Sequence, residues 1–120
     1  ARDSVTLDKS KNFAIRVVKL YQYLNTEKKE FVLSKQMQEV VLPLEQSIKA
    51  IYGISEKDFL SKVYISLKEC AETKYWLELL FKTDYLTKSQ YDSIDADCTE
   101  LIKLLTAIAK TMSTKLKSNL

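Results

Sequence analysis

The sequence predicts an all-α protein, an antiparallel up-down-up-down four-helix bundle. Three observations carry that expectation. Apolar residues recur at threes and fours in four separate segments, the spacing of one helix face. The stretches between the segments are short, and short joints force neighbouring helices to run antiparallel. The 120 residues include one Gly and one Pro, too few for the turns of an antiparallel sheet or the Gly-rich phosphate loop of a doubly wound α/β fold. The length suits a single domain, residues 1–120, with enough chain to bury a core without disulfides or metals.

The first helix is expected over about residues 5–26. Leu7, Ala14, Val17, Tyr21 and Leu24 form its stripe, Phe13 and Leu20 widen it, and Thr6 or Asp8 is available as a cap. The polar run Asn25-Thr26-Glu27-Lys28-Lys29 ends it. The second helix, about 31–52, has Leu33, Met37, Val40, Val41, Leu44, Ile48 and Ile51. Gly53 follows, where a helix C-cap favours positive φ. Ser55 with Asp58 has capping-box spacing at the start of the third helix, about 56–82. Its stripe is Leu60, Val63, Leu67, Cys70, Leu77 and Phe81. After the joint Thr83-Asp84-Tyr85-Leu86, Thr87 with Gln90 makes a second capping box. The fourth helix, about 88–117, keeps strict 3-4 spacing through Tyr91, Ile94, Cys98, Leu101, Leu105, Ile108 and Met112. Asp92, Asp95, Asp97 and Glu100 crowd its first half, and Lys103, Lys110, Lys115 and Lys117 its second, an order that complements the helix dipole.

Composition narrows function. The chain has no His, which removes the commonest general base and metal ligand and rules out Ser-His-Asp or Cys-His catalysis within it. Glu69 and Glu72 are an i, i+3 pair, but a ferritin-like di-iron site needs Glu-x-x-His twice. Two sulfurs alone do not hold zinc. Cys70 and Cys98 fall at similar heights in the last hairpin and are expected as reduced, buried thiols, separate or touching, with no bond between them. No catalytic residue, metal, cofactor or small-molecule substrate is therefore expected. No apolar run approaches the ~18 residues of a membrane span, and the charged start does not resemble a signal peptide. The expectation is a cytoplasmic protein. Nineteen Lys and Arg against 16 Asp and Glu give a net charge of +3. Such a surface permits nucleic-acid contact without requiring it.

Two places carry more apolar surface than a bundle hides. Val40-Val41-Leu42-Pro43-Leu44 is an apolar run, and successive helical residues sit about 100° apart, so the run rings its helix while a bundle buries one stripe. Val40, Val41, Leu42 and Leu44 are the candidate subunit interface, because exposing such a patch costs about 25 cal/mol per Å². Ile51, Tyr52 and Ile54 extend it. Pro43 deletes the bond to the carbonyl of Glu39 and is expected to kink or split the helix. On the third helix Tyr64, Tyr75, Trp76, Leu79 and Leu80 lie partly off the stripe, and Tyr64, Tyr75 and Trp76 join the interface candidates. Base stacking on these rings is disfavoured, because single-strand binders interleave aromatics with Arg and this chain has only Arg2 and Arg16.

Ser55-x-x-Asp58-Phe59-x-x-Lys62 and Leu67-Lys68-Glu69-Cys70-x-Glu72-Thr73-x-Tyr75-Trp76-Leu77-x-Leu79-Leu80 resemble the bacterial four-helix-bundle family named for the 23S rRNA intervening sequence. That family also includes the accessory proteins of diversity-generating retroelements. Phe13-Ala14-Ile15-Arg16-x-Val18-x-Leu20-x-x-Tyr23-Leu24 and Leu33-Ser34-Lys35-Gln36 are similar to its first two helices. Tyr85-Leu86 is similar to its Gly-Tyr-Leu joint, with Asp84 in place of Gly. The resemblance covers nearly the whole chain. It implies a non-enzymatic bundle that associates as a homopentamer, with a basic surface for nucleic acid. Arg16, Lys62 and Lys68 are the basic residues it carries over, Lys103 and Lys110 complete the nucleic-acid candidates, and Tyr75 and Trp76 are packing anchors.

One stretch departs from the family. Where the family carries a run like Arg-Ser-x-x-Ser-Ile-x-x-Asn-Ile-x-Glu, this chain has residues 39–50, and only Ile48 matches clearly. An Arg has become Glu39, and small polar residues have become Val, Leu and Pro. The block reads as a helix rewritten toward assembly, by engineering or divergence. The expected function is self-assembly into a homo-oligomer, with RNA binding by a basic oligomeric surface as the alternative.

Overall fold

The computed structural model describes residues 5–51 and 56–118, the side chains of 56, 57 and 118 excepted. They form four helices: α1 (Val5–Thr26), α2 (Val32–Ile51), α3 (Glu56–Lys82) and α4 (Lys88–Ser118). Each expected boundary that falls within the described residues lies within one residue of the observed one. The caps read at Gly53 and Ser55, and the apolar Tyr52 and Ile54, lie outside the described residues. Because α1 already begins at Val5, Thr6 and Asp8 sit inside its first turn instead of capping it.

The helices pack as a ring. α1 lies against α2 and α4, and α3 lies against α2 and α4, while among the described residues the diagonal pairs make no close backbone approach. The α1–α2 edge is therefore opposite the α3–α4 edge. The bundle measures 53 × 22 × 20 Å. Lys9 of α1 pairs with Glu100 of α4, so the start of α1 is level with the middle of α4. The last turns of α4 continue past it beside the first turns of α3.

The core follows the apolar stripes. Phe13, Val17 and Leu24 of α1 meet Met37, Val41, Leu44, Ile48 and Ile51 of α2. Val63, Cys70, Leu77 and Leu80 of α3 and Ile94, Cys98, Leu101 and Leu105 of α4 close the other half. On α3 the buried column is one position off the expected one. Phe59, Val63, Ser66, Cys70, Thr73, Leu77 and Leu80 face inward, whereas Leu60, Leu67 and Phe81 are half-buried. Leu80, read as off the stripe, is fully buried. The cause is polar residues inside the core column. Ser66 donates to the carbonyl of Lys62 and Thr73 to that of Glu69, each at 2.9 Å, so neither hydroxyl is stranded. Ser10 and Ser34 are buried in the same way, donating to Leu7 and Glu30 carbonyls.

α2 runs unbroken through Pro43, so of the two expected outcomes, a kink or a split, the split does not occur. Pro43 and Glu39 both face solvent, so water can serve the carbonyl that loses its helical partner. The joints are capped with care. At the end of α3, Tyr85 N donates to Leu80 O at 2.9 Å and Asp84 N to Phe81 O at 3.1 Å, a Schellman pair with Asp84 at φ 68°. Thr87 and Gln90 exchange bonds of 2.9 and 3.1 Å as a capping box for α4. The buried Glu30 carboxylate accepts from the backbone N–H groups of Leu33 and Ser34, capping α2.

Candidate functional site

The α1–α2 edge exposes an apolar strip. On α2, the 100° step that turns Leu42 outward turns Val41 and Leu44 inward: Leu42 is 46% exposed, while Val41 and Leu44 are 2% exposed. Val41 and Leu44 are thus core residues of the subunit, not outer surface, and Val40 is half-buried. Leu42 is not alone, however. Ile15 of α1 is 53% exposed, and it lines an open groove of about 470 Å³ with Ala14, Val18 and Leu42. Lys11 and Lys19 stand on the α1 rim and Glu45 on the α2 rim. Ile15 and Val18 were missed from the sequence, although Phe13-Ala14-Ile15 and Val17-Val18 ring α1 just as residues 40–44 ring α2.

The α3 aromatics lie elsewhere. Trp76 packs half-buried against the core, with the exposed Tyr75 ring edge-on to it at 5.2 Å. Tyr64 is exposed on the α3–α4 seam, beside Leu67, Thr106, Lys110, Ser113 and Lys117. The seven interface candidates therefore do not make one surface: Leu42 is on the edge opposite Tyr64.

The basic candidates separate in the same way. Arg16 bridges α1 to α4, donating to Asp97 Oδ2 at 2.6 Å and to the Ser93 hydroxyl at 3.0 Å. Its charge is committed. Lys62 is half-buried, and Lys68, Lys103 and Lys110 are exposed. Higher on the seam, Lys74 is occupied by Asp95 at 2.7 Å and Thr99 at 2.9 Å.

Titratable groups also sit in or beside the interior. The Cys70 and Cys98 thiols are free and buried, and Cys98 Sγ donates to the Cys70 carbonyl at 3.5 Å. Side-chain hydrogen bonding with Cys98 and burial together push the Cys70 thiol well above the usual cysteine range, which favours its protonated form. Glu69, half-buried on α3, has an oxygen, Oε1, that is buried without a hydrogen-bond partner. Burial raises its carboxyl above the usual value, the Ser47 hydroxyl lowers it in part, and Glu72 raises it further. Among the described residues no three His, Cys, Asp or Glu side chains converge where a metal could sit. Among the described residues no helix is long and apolar enough to cross a membrane.

Comparison with known proteins agrees with this architecture. The family described as 23S rRNA-intervening sequence protein matches residues 2–107. A solved structure of a protein of unknown function, from the S23 ribosomal protein family of Bacteroides thetaiotaomicron VPI-5482, is 48% identical with a TM-score of 0.85. The match covers 88% of this chain and 99% of that one. No curated protein matches.

Proposed function

The chain belongs to the 23S rRNA-intervening sequence protein family, and from that premise we propose that it works without catalysis, as a bundle that assembles with copies of itself through the α1–α2 edge. The observation that carries this reading is the pair Ile15 and Leu42, both about half exposed across one groove with Val18 between the helices. Water-exposed apolar strips of this kind mark association surfaces. A second copy is the occupant the rims favour. Lys11 and Lys19 on one side and Glu45 on the other give the groove opposite charges at its two borders, so it is self-complementary. The family resemblance implies five copies.

The test uses light scattering on the full chain and on Ile15→Asp and Leu42→Asp. Both residues are exposed, so the substitutions leave the core intact. The expected wild-type mass is a multiple of 13.9 kDa, collapsing toward one subunit in either variant. A wild-type mass of one subunit at high concentration, or a mass unmoved by either charge, overturns the reading.

RNA binding is the second reading. It is favoured by the charge distribution: from Leu101 onward α4 carries Lys103, Lys110, Lys115 and Lys117 and no carboxylate. That is more positive charge than the net +3 of the whole chain. Assembly multiplies such a field by the copy number. Filter binding at about 50 mM salt tests it, and no retention of RNA there removes it.

A further inference from the structure

We propose that the α3–α4 seam, beside the last turns of α4, is a track for single-stranded nucleic acid, with Lys103, Lys110 and Lys117 taking phosphates and the Tyr64 ring taking a base. This rests on the second reading above and gives it a place and a strand type.

The lysines recur every seven residues, two helical turns, so they line one face of α4 at intervals of roughly 10 Å. None of the three is taken up in an ion pair among the described residues, although Lys103 borders Asp92, Asp95 and Glu100, each of which is paired with another lysine. Arg16, Lys9 and Lys74 each meet a carboxylate on α4, at Asp97, Glu100 and Asp95. Lys103, Lys110 and Lys117 meet none among the described residues. The acids of α4 all precede Leu101, and Asp95, Asp97 and Glu100 pair with Lys74, Arg16 and Lys9 of the neighbouring helices.

Tyr64 supplies the second element. More than half of it is exposed, in the same groove as Lys110 and Lys117, with the Thr106 and Ser113 hydroxyls between the helices. Lys68, one turn further along the exposed side of α3, adds a cation near the ring. The groove, about 360 Å³, is open along its length, which suits a strand lying across it better than an enclosed small ligand. Hydroxyls and ammonium groups serve phosphates. An exposed ring adds a contact that only an unpaired base can return, because the base faces of a duplex are already stacked. The sequence order hides the arrangement, since the aromatic comes from α3 and its cations from α4.

The test is fluorescence anisotropy of a labelled oligouridine of about 12 nucleotides with the full chain. Binding at about 50 mM salt is expected to weaken with a log–log slope near −2, from three phosphate contacts at about 0.7 each. Lys110→Glu with Lys117→Glu should lose at least tenfold and flatten the slope. Lys35→Glu with Lys49→Glu, exposed on α2 and equal in charge change, should bind like the wild type. Tyr64→Ala should lose several-fold, and Tyr64→Phe should retain affinity. Equal losses in the two lysine pairs, with the wild type binding, overturn the site and leave the RNA reading standing. A duplex bound as tightly as the single strand overturns the strand assignment. No binding by the wild type overturns the RNA reading and this proposal together, and tighter binding to phosphatidylserine vesicles than to the oligonucleotide reassigns the seam to a membrane surface.

Discussion

Asp84 sits at φ 68°, in the left-handed region that disfavours any residue with a Cβ. The Schellman bonds from Tyr85 and Asp84 to Leu80 and Phe81 hold it there. The family joint this segment resembles has Gly at that position, which is what the backbone asks for. Asp84→Gly is therefore expected to raise stability by about 0.5–1 kcal/mol in urea unfolding, the relieved strain outweighing the extra freedom Gly gives the unfolded chain. An unchanged or lower midpoint would show that the Asp84 side chain earns its place. Glu69 offers a second residue-scale test. Burial raises its folded carboxyl above the ordinary 4.5, helped by Glu72 and opposed by Ser47, Lys68 and Lys62. The native state then holds a proton that the unfolded state has already released, so stability falls as pH rises from 4.5 through the raised value. Glu69→Gln should match the wild type at about pH 4 and exceed it at about pH 8, measured by chemical unfolding at both. A constant offset between the two proteins would deny the linkage.

The helices themselves were legible because their signals are local and redundant. Four periodic stripes, one capping box at Thr87 and Gln90, and a near absence of Gly and Pro all point the same way. What failed was direction around a helix. Ser66 and Thr73 look like surface residues in a sequence, yet their hydroxyls turn back to the carbonyls of Lys62 and Glu69 and they enter the core. A hydrophobic reading therefore slid the α3 face sideways onto Leu60 and Leu67 and left Leu80 outside. The same lack of phase put Val41 and Leu44 on the outside of α2, when the neighbouring helices claim them. The grooves were illegible for another reason: each is built by two helices, and pairing Ile15 with Leu42 or Tyr64 with Lys110 requires knowing which helices touch. Pro43 shows how exposure softens a local rule. A helix-interior Pro costs about 3 kcal/mol relative to Ala, less up to about 1 for the stiffer unfolded chain. Pro43→Ala, made in the Leu42→Asp background to separate folding from assembly, should stabilise α2 by about 1–2 kcal/mol in urea unfolding. Loss of stability would mean that the ring of Pro43 packs on a neighbour.

At the scale of the whole molecule the ring order α1-α2-α3-α4 puts the apolar edge and the basic seam on opposite sides. A copy docked on Ile15 and Leu42 would leave Tyr64, Lys110 and Lys117 facing outward, so the proposed assembly would display the proposed track once per subunit. The two surfaces should then be separable by mutation. Lys110→Glu with Lys117→Glu should leave the oligomer mass unchanged in light scattering while weakening oligonucleotide binding at least tenfold. Leu42→Asp should do the reverse in part. Its monomer retains every contact of one track, so a short oligonucleotide that fills a single seam should bind with unchanged affinity. A long strand that reaches several seams is different, because each added contact is intramolecular and rewards the oligomer by effective concentration. For that strand the Leu42→Asp monomer should be weaker by roughly 10²-fold or more. If short and long strands weaken equally in Leu42→Asp, the track is shared between subunits and the edges are not independent. If neither weakens, the strand does not bridge copies, and assembly serves something other than nucleic-acid affinity.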